Sequence, residues 1–344
     1  MSRAAWLRNA WYQAAWSADL APGALLARTL LDEPVVIFRG REGSPAVLAD
    51  RCPHRFAPLS MGRIEADGVR CGYHGLAFGG NGHCIANPHG PITRALQVRA
   101  YPTIERHGAI WVWMGEDELA DPASLPRLDF IDETPEAGRI QGYMPTQANY
   151  QLIVDNILDL SHADYLHPTT LGGMMTAADV HITEQEGRVR TAWTALDLAE
   201  APPPFRAQVP PSSNMDIRIS VEWQAPATMM LCVTTMPAGT PPTPADESWT
   251  LHSMTPETAT RTHYFYCATR RRKLDDTNLT SAIRNAIEQA FQREDKPMLE
   301  AQQARIGTPD LLDLGPAMLS IDNGAVRARR LLARLIDRES EPRR

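Results

Sequence analysis

Apolar and polar positions come in short extended runs near the start of the chain. LLARTLL (25–31), PVVIFRG (34–40) and PAVLAD (45–50) are each bounded by Gly, Pro or charged residues, which predicts brief strands. WVWM (111–114) reads as a returning strand. DPASLPRLD (121–129) reads as a proline-marked linker, which places a domain boundary near 115–135. From about 148 to 166 the period changes: Tyr150, Ile153, Ile157, Leu160 and Asp164 recur at helical spacing. The pattern stops at His167-Pro168, because a residue before proline avoids the helical region. DIRISVEWQ (216–224), TMMLCVTTM (228–236), SWTLHSM (248–254) and THYFYCAT (262–269) follow in series and predict an antiparallel sheet. Two proline-rich stretches, 201–213 and 237–246, read as surface loops. From about 277 onward the tail is helical, with Ile283, Ile287, Phe291 and Met298 on one stripe.

Composition narrows the class without naming a chemistry. A chain of 344 residues, 43% hydrophobic and 22% charged, has the make-up of a globular protein of about two domains. The net charge of −7, with no basic block, leaves no electrostatic footprint for nucleic acid. No apolar run approaches the roughly 18 residues of a membrane span. The opening MSRAAWLRNAWYQ has neither the apolar core nor the cleavage site of a signal peptide. Five cysteines, an odd number, argue against a disulfide framework and for a reducing cytosol.

Candidate chemistry enters with residues 51–90, rich in Gly, His and Cys. Cys52-Pro53-His54 is followed after sixteen residues by Cys71-Gly72-Tyr73-His74. Zinc fingers usually pair Cys with Cys and His with His, whereas here each short loop offers one of each. That suits a Rieske-type [2Fe–2S] cluster, in which both thiolates bind one iron and both imidazoles the other. Gly72 and Gly75 flank the second loop and let backbone N–H groups approach the bridging sulfides. Cys84, Cys232 and Cys267 match neither loop and read as packing thiols.

A second constellation lies in DNILDLSHADYLHP (155–168). Asn156, Asp159 and His162 are three apart and share a helical face, and His167 follows at the helix end. Two histidines and one distant carboxylate make the facial triad of non-haem Fe(II) oxygenases. An electron-transfer cluster needs an acceptor, and no nucleotide or flavin motif competes for that role. Glu294 and Asp295, beside the apolar stripe of the tail, are both open as the third ligand.

These residues resemble the oxygenase components of Rieske non-haem iron oxygenases, in the subgroup of vanillate O-demethylase, dicamba O-demethylase and toluenesulfonate methyl-monooxygenase. The resemblance runs through NAWY (9–12), CPHRFAPLS (52–60), CGYHGLAF (71–78), NPHG (87–90), WVWMG (111–115), VDNILDLSHADYLH (154–167), TPET (255–258), REDKPMLEAQQ (293–303) and AMLSIDNGAVRARR (317–330). It implies an α+β chain: an all-β Rieske domain at 1–118, then a helix-grip-like catalytic domain at 119–344, with an antiparallel sheet and flanking helices. By the same resemblance Cys52, His54, Cys71 and His74 hold the cluster. His162, His167 and Asp295 hold a mononuclear Fe(II), and Asp159 bridges a cluster histidine of one subunit to an iron histidine of the next in a homotrimer. Asn156 stands beside the iron. His252, Leu231 and Cys232 line the substrate pocket, and no Arg or Lys is singled out as a carboxylate clamp.

The implied activity is a cytoplasmic monooxygenase with O2 as co-substrate. Electrons from NAD(P)H arrive through a separate reductase of flavin and ferredoxin type. Hydroxylation of the methyl of a vanillate-like aromatic acid gives a catechol-like product and formaldehyde. Two alternatives remain: hydroxylation of an aryl methyl or attack on another aryl ether, and a Rieske electron-transfer protein without oxygenase activity.

Overall fold

The computed structural model describes residues 6–65 and 68–341. Residues 1–5, part of the segment read for a signal peptide, lie outside them. Contacts divide the described residues into two compact units, one comprising 6–65, 68–125, 255–259 and 339–341, the other 126–254 and 260–338.

The first unit is built of short strands, because its apolar runs are only three to five residues long between turn formers. Leu26–Leu30, Glu33–Arg39, Pro45–Ala49 and Ala100–Tyr101 form one sheet. Arg63–Glu65, Gly68–Arg70, Ala77–Gly79 and Cys84–Ala86 form a second. Trp11–Trp16, Ala109–Trp113 and Thr103–Arg106 form a third. Val36, Phe38, Leu48, Leu59, Val69 and Phe78 pack into one buried cluster, and Cys52 and Cys71 belong to it. The two metal-motif loops are therefore anchored in a rigid core.

The second unit carries a seven-stranded sheet in the order Arg139–Thr146, Arg261–Thr269, Glu247–Thr258, Thr228–Pro237, Met215–Gln224, Arg188–Leu198, Asp179–Gln185. Its pairs are antiparallel, as the run of hydrophobic segments predicts. The first strand and the last two were not anticipated. Asp179–Gln185 is exposed along almost its whole length, so its one short alternation, Val180 and Ile182, buries no face. Pairing with Arg188–Leu198 alone brings it into the sheet.

Two helical expectations change. The predicted 148–166 helix stops at Leu158, where Asp159 leaves helical geometry at φ −124° and ψ 93°. A short turn, Leu160–His162, and a second helix, Ala163–Leu166, follow. Asn149 caps the first helix through Gln151 N, and Asp159 caps the turn through Ser161 N. The tail also breaks: Thr277–Ile287 is α-helical, Glu288–Asp295 is π-helical, and Lys296–Ile306 is α-helical again. The π turn rotates later residues relative to the stripe, so Asp295 is buried while Met298 is 49% exposed.

Candidate active site and metal centres

In the first unit the two loops repeat one geometry. Cys52 N donates to Ala57 O and Phe56 N donates to Cys52 O. In the second loop Cys71 N donates to Leu76 O and Gly75 N to Cys71 O. The fourth residue after each cysteine sits at positive φ, +59° for Phe56 and +75° for Gly75. Glycine takes that conformation freely, while phenylalanine is strained in it by about 1–2 kcal/mol. Both sulfurs are buried, and burial with the Cys71 neighbour pushes the Cys52 thiol up, against the pull of His54 and Arg55 backbone N–H groups. His54 and His74 meet edge to face at 4.5 Å between ring centroids on the open side. Two inner thiols and two outer imidazoles fit an asymmetric two-iron cluster, which Cys52, Cys71, His54 and His74 would hold and whose sulfides would accept hydrogen bonds from backbone N–H groups.

In the second unit the break at Asp159 and the π turn have a common result. They bring His162, His167 and Asp295 together, with one ligand atom from each within 4.8 Å of the others. His167 Nε2 lies 3.1 Å and His162 Nε2 3.5 Å from the same oxygen, Asp295 Oδ1. The outer nitrogens fix the tautomers. His162 Nδ1 donates to the Asp159 carbonyl at 2.5 Å, and His167 Nδ1 donates to the Glu294 carboxylate at 2.6 Å. Both Nε2 lone pairs therefore face a carboxylate oxygen. Three electron-pair donors converging on one point suit a cation, and two imidazoles with one carboxylate suit ferrous iron. Burial opposes ionisation of Asp295, but the two imidazoles beside it, His162 and His167, hold its pKa below the ordinary value. The ligand is thus a preformed anion. Asn156 Nδ2 donates to Asp295 Oδ1 at 3.3 Å, which gives Asn156 a place beside the centre.

Glu294, open above as a possible ligand, serves the centre in a different way. It orients His167, and is itself held by Thr170 Oγ1 at 3.3 Å and Gln289 Nε2 at 3.0 Å. Such outer carboxylates raise the basicity of a metal-binding imidazole. Asp164 was read only as part of the helical pattern. Its carboxylate accepts from the backbone N–H groups of Gly173, Met174, Met175 and Thr176, and from the Thr176 hydroxyl. That clamp folds back the 168–176 segment, which brings Leu171 and Met175 to the cavity.

The cavity beside the triad measures about 210 Å³ and is lined mostly by apolar side chains, among them Ile157, Leu231, Val233 and Phe291. His252 lines it too. Burial pushes its pKa down to about 3, so the ring is neutral. Its Nδ1 pairs with the Tyr264 hydroxyl at 2.6 Å, and its Nε2 is buried without a partner. Leu231 and His252 line the cavity, whereas Cys232 does not. Successive residues of a strand point to opposite faces, so the neighbour of Leu231 turns away. The 201–213 stretch is also more than a surface loop: Phe205 is buried and lines the cavity with Gln208.

With this geometry in view, the known proteins that match are informative. Residues 10–102 match the Rieske [2Fe-2S] domain, and residues 146–338 match the vanillate O-demethylase oxygenase C-terminal domain. The chain belongs to this family of Rieske oxygenases. It is 36% identical to dicamba O-demethylase, oxygenase component, of Stenotrophomonas maltophilia, over 96% of this chain and 97% of that one. It is 33% identical to the vanillate O-demethylase oxygenase subunit of Pseudomonas sp. (strain HR199 / DSM 7063), over 97% and 96%. The crystal structure of dicamba monooxygenase bound to dicamba superposes with a TM-score of 0.89 at 33% identity, covering 97% and 98% of the two chains. Another crystal structure of that protein contains non-haem iron and dicamba. This Rieske oxygenase is accordingly an oxidoreductase of the monooxygenase class with two iron cofactors, a [2Fe–2S] cluster and a mononuclear non-haem iron.

Proposed function

We propose that this Rieske oxygenase is the terminal component of an O-demethylase system acting on a methoxylated aromatic acid. The observation that carries the reading is the opening of an apolar, ring-sized cavity directly onto His162, His167 and Asp295, in a chain that also carries the two cluster loops. When bound, the cluster stores electrons and the mononuclear iron activates O2. The protein's own residues do the rest. Apolar walls hold the ring and exclude water, neutral His252 offers Nε2 to a polar ring substituent, and Glu294 and the Asp159 carbonyl keep both histidine ligands in one tautomer. Hydroxylating the methyl gives a hemiacetal, which collapses to a phenol and formaldehyde, so a vanillate-like substrate becomes a catechol-like product.

The partners follow from the same reading. A separate reductase delivers NAD(P)H electrons, and the chains form a head-to-tail homotrimer in the cytoplasm. Supporting the trimer, Phe56, Met61 and Tyr73 are 62–79% exposed around the cluster loops. A second cavity, containing Asp159, is bordered by the exposed Met298 and Met318. Contiguous apolar surface marks interfaces. Asp159 then bridges a cluster histidine of one copy and His162 of the next. We place the Rieske domain at 1–118 and the catalytic domain at 119–344. Among the described residues no helix is long and apolar enough to cross a membrane.

The test is direct: iron-loaded protein, a matching reductase and a panel of methoxybenzoates and methoxyphenylpropanoates, with formaldehyde measured. Release with substrate-dependent O2 uptake is expected. No formaldehyde from any member sinks the reading.

A further inference from the structure

The reaction centre occupies one end of the cavity, and at the other lies a charge with no counterion among the described residues. Arg270 lines the cavity and is 8% exposed. Its Nη2 donates to Thr280 Oγ1 at 2.5 Å and lies 3.5 Å from the Asp276 carbonyl, while its Nη1 is buried with no hydrogen-bond partner. Two carboxylates of neighbouring segments are engaged elsewhere. Asp276 caps the Thr277–Ile287 helix through Leu279 N, and Asp246 pairs with Arg272. A buried guanidinium without a carboxylate is costly to maintain, so an absent anion is the natural partner.

Two elements measure the distance to the triad. Arg270 follows Tyr264, the partner of His252, by six residues of nearly continuous strand, or about 20 Å at roughly 3.3 Å per residue. Thr280, which holds the guanidinium, precedes Asp295 by fifteen helical residues, or at most about 22 Å at the α-helical rise of roughly 1.5 Å each, the π turn being more compact. The helix and the strand therefore run along the cavity together, with the triad at one end and Arg270 at the other. Long side chains at both ends shorten the gap, and an acid on a side arm reaches further across it than one attached directly to the ring.

We infer that Arg270 is the specificity residue for the substrate's anionic group, and that the substrate is an aromatic acid whose carboxylate stands on a side arm rather than on the ring. Its methyl end faces His162, His167 and Asp295, its ring lies between Leu231 and Phe291, and its acid meets the Nη1 edge of Arg270 in a charge-assisted pair. This rests on the demethylase reading and narrows its substrate class.

Equilibrium binding to the iron-loaded enzyme tests it by titration calorimetry, with a methoxyphenylpropanoate, a methoxybenzoate and the primary amide of each as probes. The wild type is expected to bind the propanoate tighter than its amide by roughly tenfold to a hundredfold, the range for a hydrogen-bonded charge, and tighter than the benzoate. Arg270→Gln removes the preference for acid over amide, Arg270→Lys retains part of it, and the visible cluster spectrum is unchanged in both. Equal binding of acid and amide by the wild type overturns the assignment, as does a preference that survives in Arg270→Gln. A benzoate that binds as tightly as the propanoate overturns the side arm. Should Arg270→Gln fail to fold, Thr280→Val, which removes the hydroxyl that orients the guanidinium, must weaken the preference severalfold, and an unchanged preference counts against the proposal. Formaldehyde separates the two readings. Acids bound through Arg270 but never demethylated sink the demethylase reading alone, and demethylation without acid preference sinks this one alone.

Discussion

At the residue scale, the metal site depends on groups one bond beyond the ligands. Glu294 fixes the His167 tautomer at 2.6 Å. Glu294→Gln keeps a hydrogen-bonding group but loses the charge that makes the imidazole a stronger donor. Iron affinity at the mononuclear site should fall by about tenfold to a hundredfold, the usual cost of losing such a partner. Competitive chelation, followed by iron counting, reads this directly, and the cluster absorption should not move. The thiols make a contrasting case. Burial pushes Cys232 up to about 11 and Cys267 up to about 12. Both stay protonated at pH 8, so iodoacetamide should leave them unmodified in the native protein and label them once it is unfolded. Rapid labelling of either in native protein would contradict the burial described here.

At the scale of elements, the site depends on two interruptions. An unbroken helix through 148–166 and an unbroken tail would not carry the same three side chains to one point. The break at Asp159 and the π turn at Glu288–Asp295 redirect them. Deleting one residue within 288–293 should restore α-helical register and swing Asp295 off the centre, which abolishes mononuclear iron binding while the cluster is retained. Asp164 holds the neighbouring segment with five hydrogen bonds, and Asp164→Ala should cost about 2–3 kcal/mol, seen as a drop in thermal midpoint. The same contrast explains what was legible in advance. The Cys/His loops and the two histidines could be read because their ligand types sit at short fixed spacings. The four hydrophobic strands could be read because burial imposes a pattern. Asp179–Gln185 could not, because an exposed strand is specified by its neighbour. The third ligand was ambiguous by helical angle alone, since a π turn obeys no periodicity that an α-helical count can follow. Arg270 was invisible because its significance lies in the partner it lacks.

At the scale of the whole molecule, the open question is where an electron leaves the cluster. The proposed route crosses between chains through Asp159, whose carboxylate caps Ser161 while its carbonyl holds His162. Asp159→Asn should preserve both the cap and the carbonyl contact, so both metal sites should fill. Coupled turnover should nearly vanish, because only the acid to the neighbouring chain is lost. Complementation separates this from a local defect. Cys71→Ser removes the cluster and His162→Ala removes the mononuclear iron, so neither chain can turn over alone. If electrons pass from one copy to the next, trimers assembled from both variants contain junctions where an intact cluster faces an intact iron site, and activity returns to a fraction of wild type. If each chain uses its own cluster, mixing restores nothing. Activity that returns in the mixture, and is lost again when Asp159→Asn is added to the His162-intact chain, would place the acid on the receiving side of the junction.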